Sequence, residues 1–307
     1  MMNRCLSKLV SSLKENKFVF TGEVEPEKTT DLSEMISSAK KLEKYVVACN
    51  VTDNPQSFGY ISGLVSSFIM QRETGLEAIY QITCRDRNRI ALLSDLLGAS
   101  ALNIRNVLVL TGDHTVLGDI PQAKPVFDLD SVQLIYGIRN MIDEGKDFAR
   151  NKITHPPQFY LGGGVNPNSD PLEPELIKFK KKVDAGAEFF QTQVVFDIDI
   201  AKNFMREVRK FKVPVIIGIF PLRSYGVAKY FDEEVPGVKV PVDLIQNLKD
   251  AKRIQDETKR REKYMEINKN YFIDFIKEMK KTTKAAGCHV MSIGYEEIVP
   301  KLIAAVK

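Results

Sequence analysis

Seven short hydrophobic runs, each ending in a polar or glycine-bearing cluster, punctuate this chain, and an eighth, weaker run follows near the C-terminus. The runs cover residues 18–24, 45–51, 77–82, 106–110, 158–161, 188–194, 215–219 and 289–292. They end respectively in GEVEP, TDN, TCRD, TGD, GGGVNP, QTQ, FPLRS and SIGYE. Between them lie segments with apolar residues at helical spacing, among them 32–42, 61–71, 88–97, 132–144 and 172–185. Alternation of apolar strand and amphipathic helix makes a parallel sheet, and repeating units of this kind predict an α/β fold, a (β/α)8 TIM barrel. In that architecture the active site lies at the C-terminal ends of the strands. The terminal clusters therefore predict chemistry, and the run interiors predict packing.

A chain of 307 residues fits one such barrel over residues 1–307 better than two domains. The net charge of +4 is small and interleaved with acidic residues, so no nucleic-acid partner is expected. The charged segment 248–284 reads as solvated outer helix. No stretch approaches the ~20 apolar residues that span a bilayer. The N-terminus lacks the apolar core of a signal peptide. Its Leu6, Leu9, Val10 and Leu13 instead predict an amphipathic cap helix. Cys5, Cys49, Cys84 and Cys288 form no CxxC pair, and Cys49 and Cys288 read as reduced, packed thiols of a cytoplasmic protein. Two long connections, 112–130 and 222–242, are expected to be lids or binding loops.

Glu23 stands among apolar and small residues at the end of the first run. A buried carboxyl at a barrel mouth suits general-acid work, although a strand-end glutamate paired to a lysine would look the same. Strand alternation points Glu25 the same way. Asp113 follows Gly112, a glycine that lets backbone approach a flat ligand or simply makes a turn. Gly162, Gly163 and Gly164 read as a floor for a bulky ligand or its phosphate, or as a flexible loop. Among the crowded lysines 178, 180, 181 and 182, Lys182 could reach a phosphate or ring carbonyl. Gln193 offers a donor and an acceptor to a heterocycle edge. His114 and His289 stand isolated, and no metal site is expected. Dinucleotide-fingerprint and P-loop motifs are missing, as is a paired nucleophile and base. That pattern suits a cofactor that performs the hard chemistry.

Taken in order, the clusters resemble methylenetetrahydrofolate reductase, from about Phe18 to the C-terminus. The resemblance is carried by GEVEP, VTDN, GLEAIYQITCRD, VLVLTGD, ELIKFKKKVDAGAEFFQTQVVFD and VPVIIGIFPLRS. It is to the forms that consist of the catalytic domain alone. It implies a cytoplasmic flavoprotein of one-carbon metabolism and methionine biosynthesis, reducing 5,10-methylenetetrahydrofolate to 5-methyltetrahydrofolate. By that resemblance Glu23 is the proton donor that helps open the folate ring, and Asp113 binds the pterin near the flavin. Gln193 contacts folate, and Phe231 packs on it. Thr52, Gly112, Glu175 and Lys182 fall on flavin-contacting positions. Gln81 stands where a histidine is common, and with Gly163 completes the expected cofactor-binding set.

The departures from the family's pattern are informative. Thr111 replaces an arginine that helps hold the cofactor's phosphates, so FMN is as credible as FAD. Glu25 replaces an aromatic residue beside the nicotinamide site, which argues against NADH or NADPH as the direct donor. The KPVFDLDS loop resembles forms from anaerobes that work beside an iron–sulfur subunit. A partner subunit delivering electrons, and an oligomeric assembly, are therefore expected. Two other readings stay open. One is a pterin-binding barrel that transfers a methyl group without redox chemistry; the other is a scaffold subunit of a larger redox complex.

Overall fold

The computed structural model describes residues 7–306. Its strands are β1 (Val19–Val24), β2 (Ala48–Val51), β3 (Ala78–Thr83), β4 (Asn106–Leu110), β5 (Tyr160–Val165), β6 (Phe189–Val194), β7 (Val215–Ile219) and β8 (Gly287–Val290). They pair in parallel and in sequence order into a closed barrel, β1 meeting β8. Around it run α2 (Ser33–Leu42), α3 (Gly63–Thr74), α4 (Arg89–Ala101), α5 (Ser131–Asp143), α6 (Glu173–Asp184) and α7 (Ile198–Val208). They are followed by α8 (Tyr225–Glu234), α9 (Val242–Ala251), α10 (Glu257–Thr282) and α11 (Ile298–Val306). The expected (β/α)8 barrel is therefore present.

Period-two alternation splits the apolar residues into two cores. Outward residues such as Phe20, Cys49, Tyr80, Val107, Phe190, Ile217 and Cys288 join the large layer beneath the helices. Inward residues near the strand starts, Val19, Ala48, Ile79, Leu108, Tyr160, Phe189 and Ile216, form a smaller core. Leu9, Val10 and Leu13 of α1 (Lys8–Lys14) complete that core, so the helix plugs the N-terminal end of the barrel. This is the expected cap helix; Leu6, read as part of it, lies outside the described residues. Ser7 caps α1 by accepting from the Val10 amide at 3.2 Å, and it donates to Asn106 Oδ1 at 2.7 Å. The Glu77 carboxylate accepts from the amides of Lys8 (2.7 and 3.0 Å) and Leu9 (3.4 Å). The first-turn amides that a helix leaves unpaired thus find acceptors in the barrel.

Three expectations are corrected. The triple glycine is not a loop beyond the fifth strand but lies within β5. A Cβ on Gly162 would sit 2.3 Å from the Phe189 ring, and one on Gly164 2.7 Å from Leu110. Gly163 faces the other way, toward Phe190 and the Lys182 stem. The glycines make room for inner-core side chains, including the stacked pair Tyr160–Phe189 at 5.0 Å. The connection 222–242 is not structureless, since α8 occupies about half of it. The eighth strand begins two residues earlier than its hydrophobic run, at Gly287, where pairing with Val19 and Ile216 sets its start.

Leu9 is fully buried in the plug, so Leu9→Ala is expected to cost about 2–5 kcal/mol. Urea unfolding should show a lower midpoint at unchanged slope. A loss below about 0.5 kcal/mol would mean that α1 lies outside the cooperative core.

Candidate active site

Above the apolar plug the inward positions turn polar. β1 brings Thr21 and Glu23 inside, β2 Asn50, β3 Gln81, β6 Gln191 and β8 His289, all buried. Asn50 Nδ2 donates to Gln191 Oε1 at 2.7 Å. Gln191 Nε2 donates to Asn50 Oδ1 and to Thr21 Oγ1, both at 3.1 Å. Thr21 Oγ1 lies 3.0 Å from His289 Nδ1, and His289 Nε2 lies 3.3 Å from Glu23 Oε2. Gln81 Nε2 donates to the same Glu23 oxygen at 3.1 Å. Among the described residues the first strand's glutamate is thus not paired to a lysine. It ends a continuous polar column along the barrel axis.

The rim is braced by arginines. Asp53, just past β2, receives Arg87 through both oxygens at 2.7 and 2.9 Å. The Thr83 amide and hydroxyl also donate to it, at 2.8 and 2.9 Å. Arg87 reaches on to Asp95 at 2.7 Å. Arg85 is almost wholly buried; it grips Asp86 and donates to the carbonyls of Asn54 (3.0 Å) and Asp113 (3.3 Å). Gly112 has φ +92°, and a Cβ there would meet Arg85 and Thr83 at 3.1 Å. Gly112 therefore permits this close crossing, and Asp113 emerges beyond it with an exposed side chain. The connection that follows carries one short turn, Thr115–Leu117. It is tied down by the Gly59 amide and Lys28 on Asp119, and by the Val126 amide on the Arg85 carbonyl.

The remaining sequence-predicted residues are spread around the mouth. Gln193 is exposed at the end of β6, beside a shift in register against β7, and its Oε1 accepts from the Val194 amide at 2.8 Å. Phe231 of α8 packs on Phe220 (4.6 Å) and Phe196 (5.6 Å). Thr52 is buried, and its hydroxyl has no partner among the described residues. Glu175 accepts from the Asn166 amide at 2.9 Å. Lys182 is buried and donates to the Gly164 carbonyl at 2.5 Å. Burial, reinforced by Lys178, brings its ammonium down to about 8, against the pull of Glu175 and Asp130. Glu25 moves the other way: burial first, then the Glu23 and Glu27 charges, push it up to about 7.

Sequence reasoning sets His289 aside as isolated and passes over Thr21, Asn50, Gln191 and Arg85. The signal available is the alternation itself. Thr21 and Glu23, Asn50 and Thr52, and Gln191 and Gln193 are polar pairs two apart inside apolar runs. In a barrel strand such spacing places both members on one face.

Comparisons with known proteins bear on the family and the fold. A Caenorhabditis elegans protein described as probable methylenetetrahydrofolate reductase (NADPH) is 26% identical over 189 residues, 61% of this chain and 26% of that protein. An Arabidopsis thaliana relative, methylenetetrahydrofolate reductase (NADH) 1, is 26% identical over 298 residues, 92% of this chain and 47% of its own. The chain therefore spans about a quarter to a half of the length of these relatives. A solved structure from Clostridium thermocellum superposes with a TM-score of 0.63 at 15% identity, covering 97% of this chain and 98% of that one. That protein is described as binding two copies of 5-methyl-5,6,7,8-tetrahydrofolic acid; at this identity the likeness concerns the fold. The family profile described as methylenetetrahydrofolate reductase matches residues 8–307, and the chain belongs to that family.

Proposed function

We propose that this chain reduces 5,10-methylenetetrahydrofolate to 5-methyltetrahydrofolate with a flavin, FAD or FMN, held at the barrel mouth. The observation that carries the reading is a buried carboxyl, Glu23, hydrogen-bonded through one oxygen at the end of a polar column in a barrel of this family. The chain's other residues fit a bound cofactor. The unpartnered Thr52 hydroxyl and the buried Lys182 ammonium supply a donor and a cation. Gln81, Gly112 and Glu175 would line the same group. Gly163 would act indirectly, because its missing side chain leaves room for the Lys182 stem. A bound flavin would supply the hydride that the methylene carbon accepts. Glu23 gives its proton to the folate ring nitrogen as the bond from that nitrogen to the methylene carbon breaks. The bonding pair stays on nitrogen, and Glu23 is left as a carboxylate. Asp113 holds the pterin, Gln193 contacts the folate and Phe231 packs against it.

Purified protein is expected to show an oxidised-flavin spectrum that bleaches on reduction. A colourless protein that neither FAD nor FMN reconstitutes would sink the reading and favour methyl transfer or a scaffold role. Positioned general-acid catalysis is worth roughly 10²–10⁴-fold. Glu23→Gln should therefore keep flavin content and chemical reduction while slowing reoxidation by methylenetetrahydrofolate about that much. Reoxidation within twofold of wild type would move the proton donor elsewhere, with Glu25 the first suspect.

The electron donor is proposed to be a partner protein of the iron–sulfur class rather than a nicotinamide. Glu25 puts a carboxyl beside Glu23, where an anionic dinucleotide would have to approach. With Glu25 at about 7, the position is increasingly negative above neutrality and increasingly neutral below it. The ratio of NADH-driven to dye-driven turnover should therefore be low at pH 8 and rise as pH falls through 7. Glu25→Gln should flatten that dependence at the high-ratio end. A ratio that is high and independent of pH in the wild type would show that Glu25 does not obstruct the dinucleotide.

A further inference from the structure

We infer that His289, oriented by Thr21 and Gln191, is a positioning residue that fixes Glu23 by one oxygen and so leaves the other to carry the proton; this rests on Glu23 being the proton donor. The hydrogens can be followed through the column one group at a time. Gln191 donates its two amide hydrogens to Asn50 Oδ1 and Thr21 Oγ1, and its carbonyl accepts from Asn50. In this amide orientation Thr21 Oγ1 is already an acceptor, so its single hydrogen is free to point at His289 Nδ1. A ring nitrogen that accepts leaves the proton of a neutral imidazole on the other nitrogen. His289 Nε2 therefore donates to Glu23 Oε2.

Glu23 Oε2 thus accepts from two N–H groups, those of His289 and Gln81. Oε1 has no hydrogen bond to any described residue. A protonated Glu23 carries its hydrogen on Oε1, because Oε2 already faces two donors. When the proton leaves Oε1 for the folate ring nitrogen, the two donors meet the new carboxylate without reorganising. Donors set in place before charge develops suit such a step, since nothing has to move as it proceeds. Nothing else in the fold requires a histidine here. The apolar plug lies below it, and among the described residues its ring nitrogens meet only Thr21 and Glu23.

The test uses the flavin-loaded full chain, chemically reduced and then mixed with methylenetetrahydrofolate in a stopped-flow instrument. His289→Leu removes the donor, His289→Gln keeps a side-chain N–H, and Thr21→Val removes the hydroxyl that selects the ring nitrogen. Misplacing a reacting group by about 1 Å can cost on the order of 10²-fold. His289→Leu and Thr21→Val are each expected to slow flavin reoxidation roughly 10–100-fold, with flavin content and chemical reduction unchanged and some fall in melting temperature, since each leaves a buried group without its partner. His289→Gln should recover most of the rate. In a Glu23→Gln background, His289→Leu should add little, since residues acting as one unit are not additive. If His289→Leu does not accumulate as folded protein, Thr21→Val carries the same expectation. A slowed Glu23→Gln beside wild-type rates in Thr21→Val and His289→Leu would overturn this inference alone. A wild type that folate cannot reoxidise would overturn both this inference and the proposed reaction.

Discussion

A carboxyl closed inside a β-barrel is costly unless its oxygens meet hydrogen-bond donors, and the interior of this barrel is arranged around that requirement at Glu23. Gln81 from β3 and His289 from β8, the strand next to β1, reach its Oε2. Each additional polar group then needs its own partner, and the requirement propagates through Thr21 and Gln191 to Asn50. The propagation stops at the Asn50–Gln191 amide pair, where two amides satisfy one another reciprocally. Below it the inward positions are apolar apart from Asn106, which Ser7 satisfies, and α1 closes the end. The column is thus almost fully satisfied at its base and open only at its tip. A buried polar network of this kind is stable where complete and reactive where it is not.

The mouth shows the same principle with charges. Asp53 is buried and would be strongly destabilising alone, but Arg87 and Thr83 saturate it. Arg85, nearly without solvent exposure, directs its donors to Asp86 and to two backbone carbonyls, one of them that of Asp113. These groups are scaffold: their geometry is over-determined. Lys182 and Glu25 are different. Both are displaced toward neutrality by burial, the lysine down to about 8 and the glutamate up to about 7. A small change in surroundings, such as an arriving anion, is enough to alter their charge near physiological pH.

The order of strands, the plug helix and the placement of Glu23 at a strand end are all legible from periodicity, because a buried parallel strand with one end at a polar rim must produce an apolar run bounded by a polar cluster. The glycine run in β5 is not. From sequence alone, three glycines read as freedom; in the barrel, Gly162 is occupied space, taken by the ring of Phe189 from the next strand. That demand arises only once β5 and β6 are neighbours. The column is hidden for a related reason. Thr21 and His289 lie 268 residues apart and meet only because the barrel closes β8 onto β1. A single sequence shows which positions face inward but not which of them touch.

Of the residues that the resemblance marks as departures, Thr111 and Glu25 stand at the mouth, while Gln81 belongs to the column and donates to Glu23. Strand ends and the loops beyond them can change without disturbing the inward hydrogen bonds, which run between strand interiors. Under the proposed reaction, proton chemistry and electron supply can in this way be altered separately. The separation is incomplete at Glu25. It lies two residues beyond Glu23 in the chain, and the Glu23 charge is among the causes that push it up. Electrostatic coupling is reciprocal, so whatever occupies position 25 is also felt at position 23. An aromatic residue at position 25 would offer a face for stacking and carry no charge. A glutamate there removes the face and adds a charge whose state depends on Glu23. Under the proposed reaction, a donor that needs no flat surface at position 25 and brings no phosphate past it suits this chain.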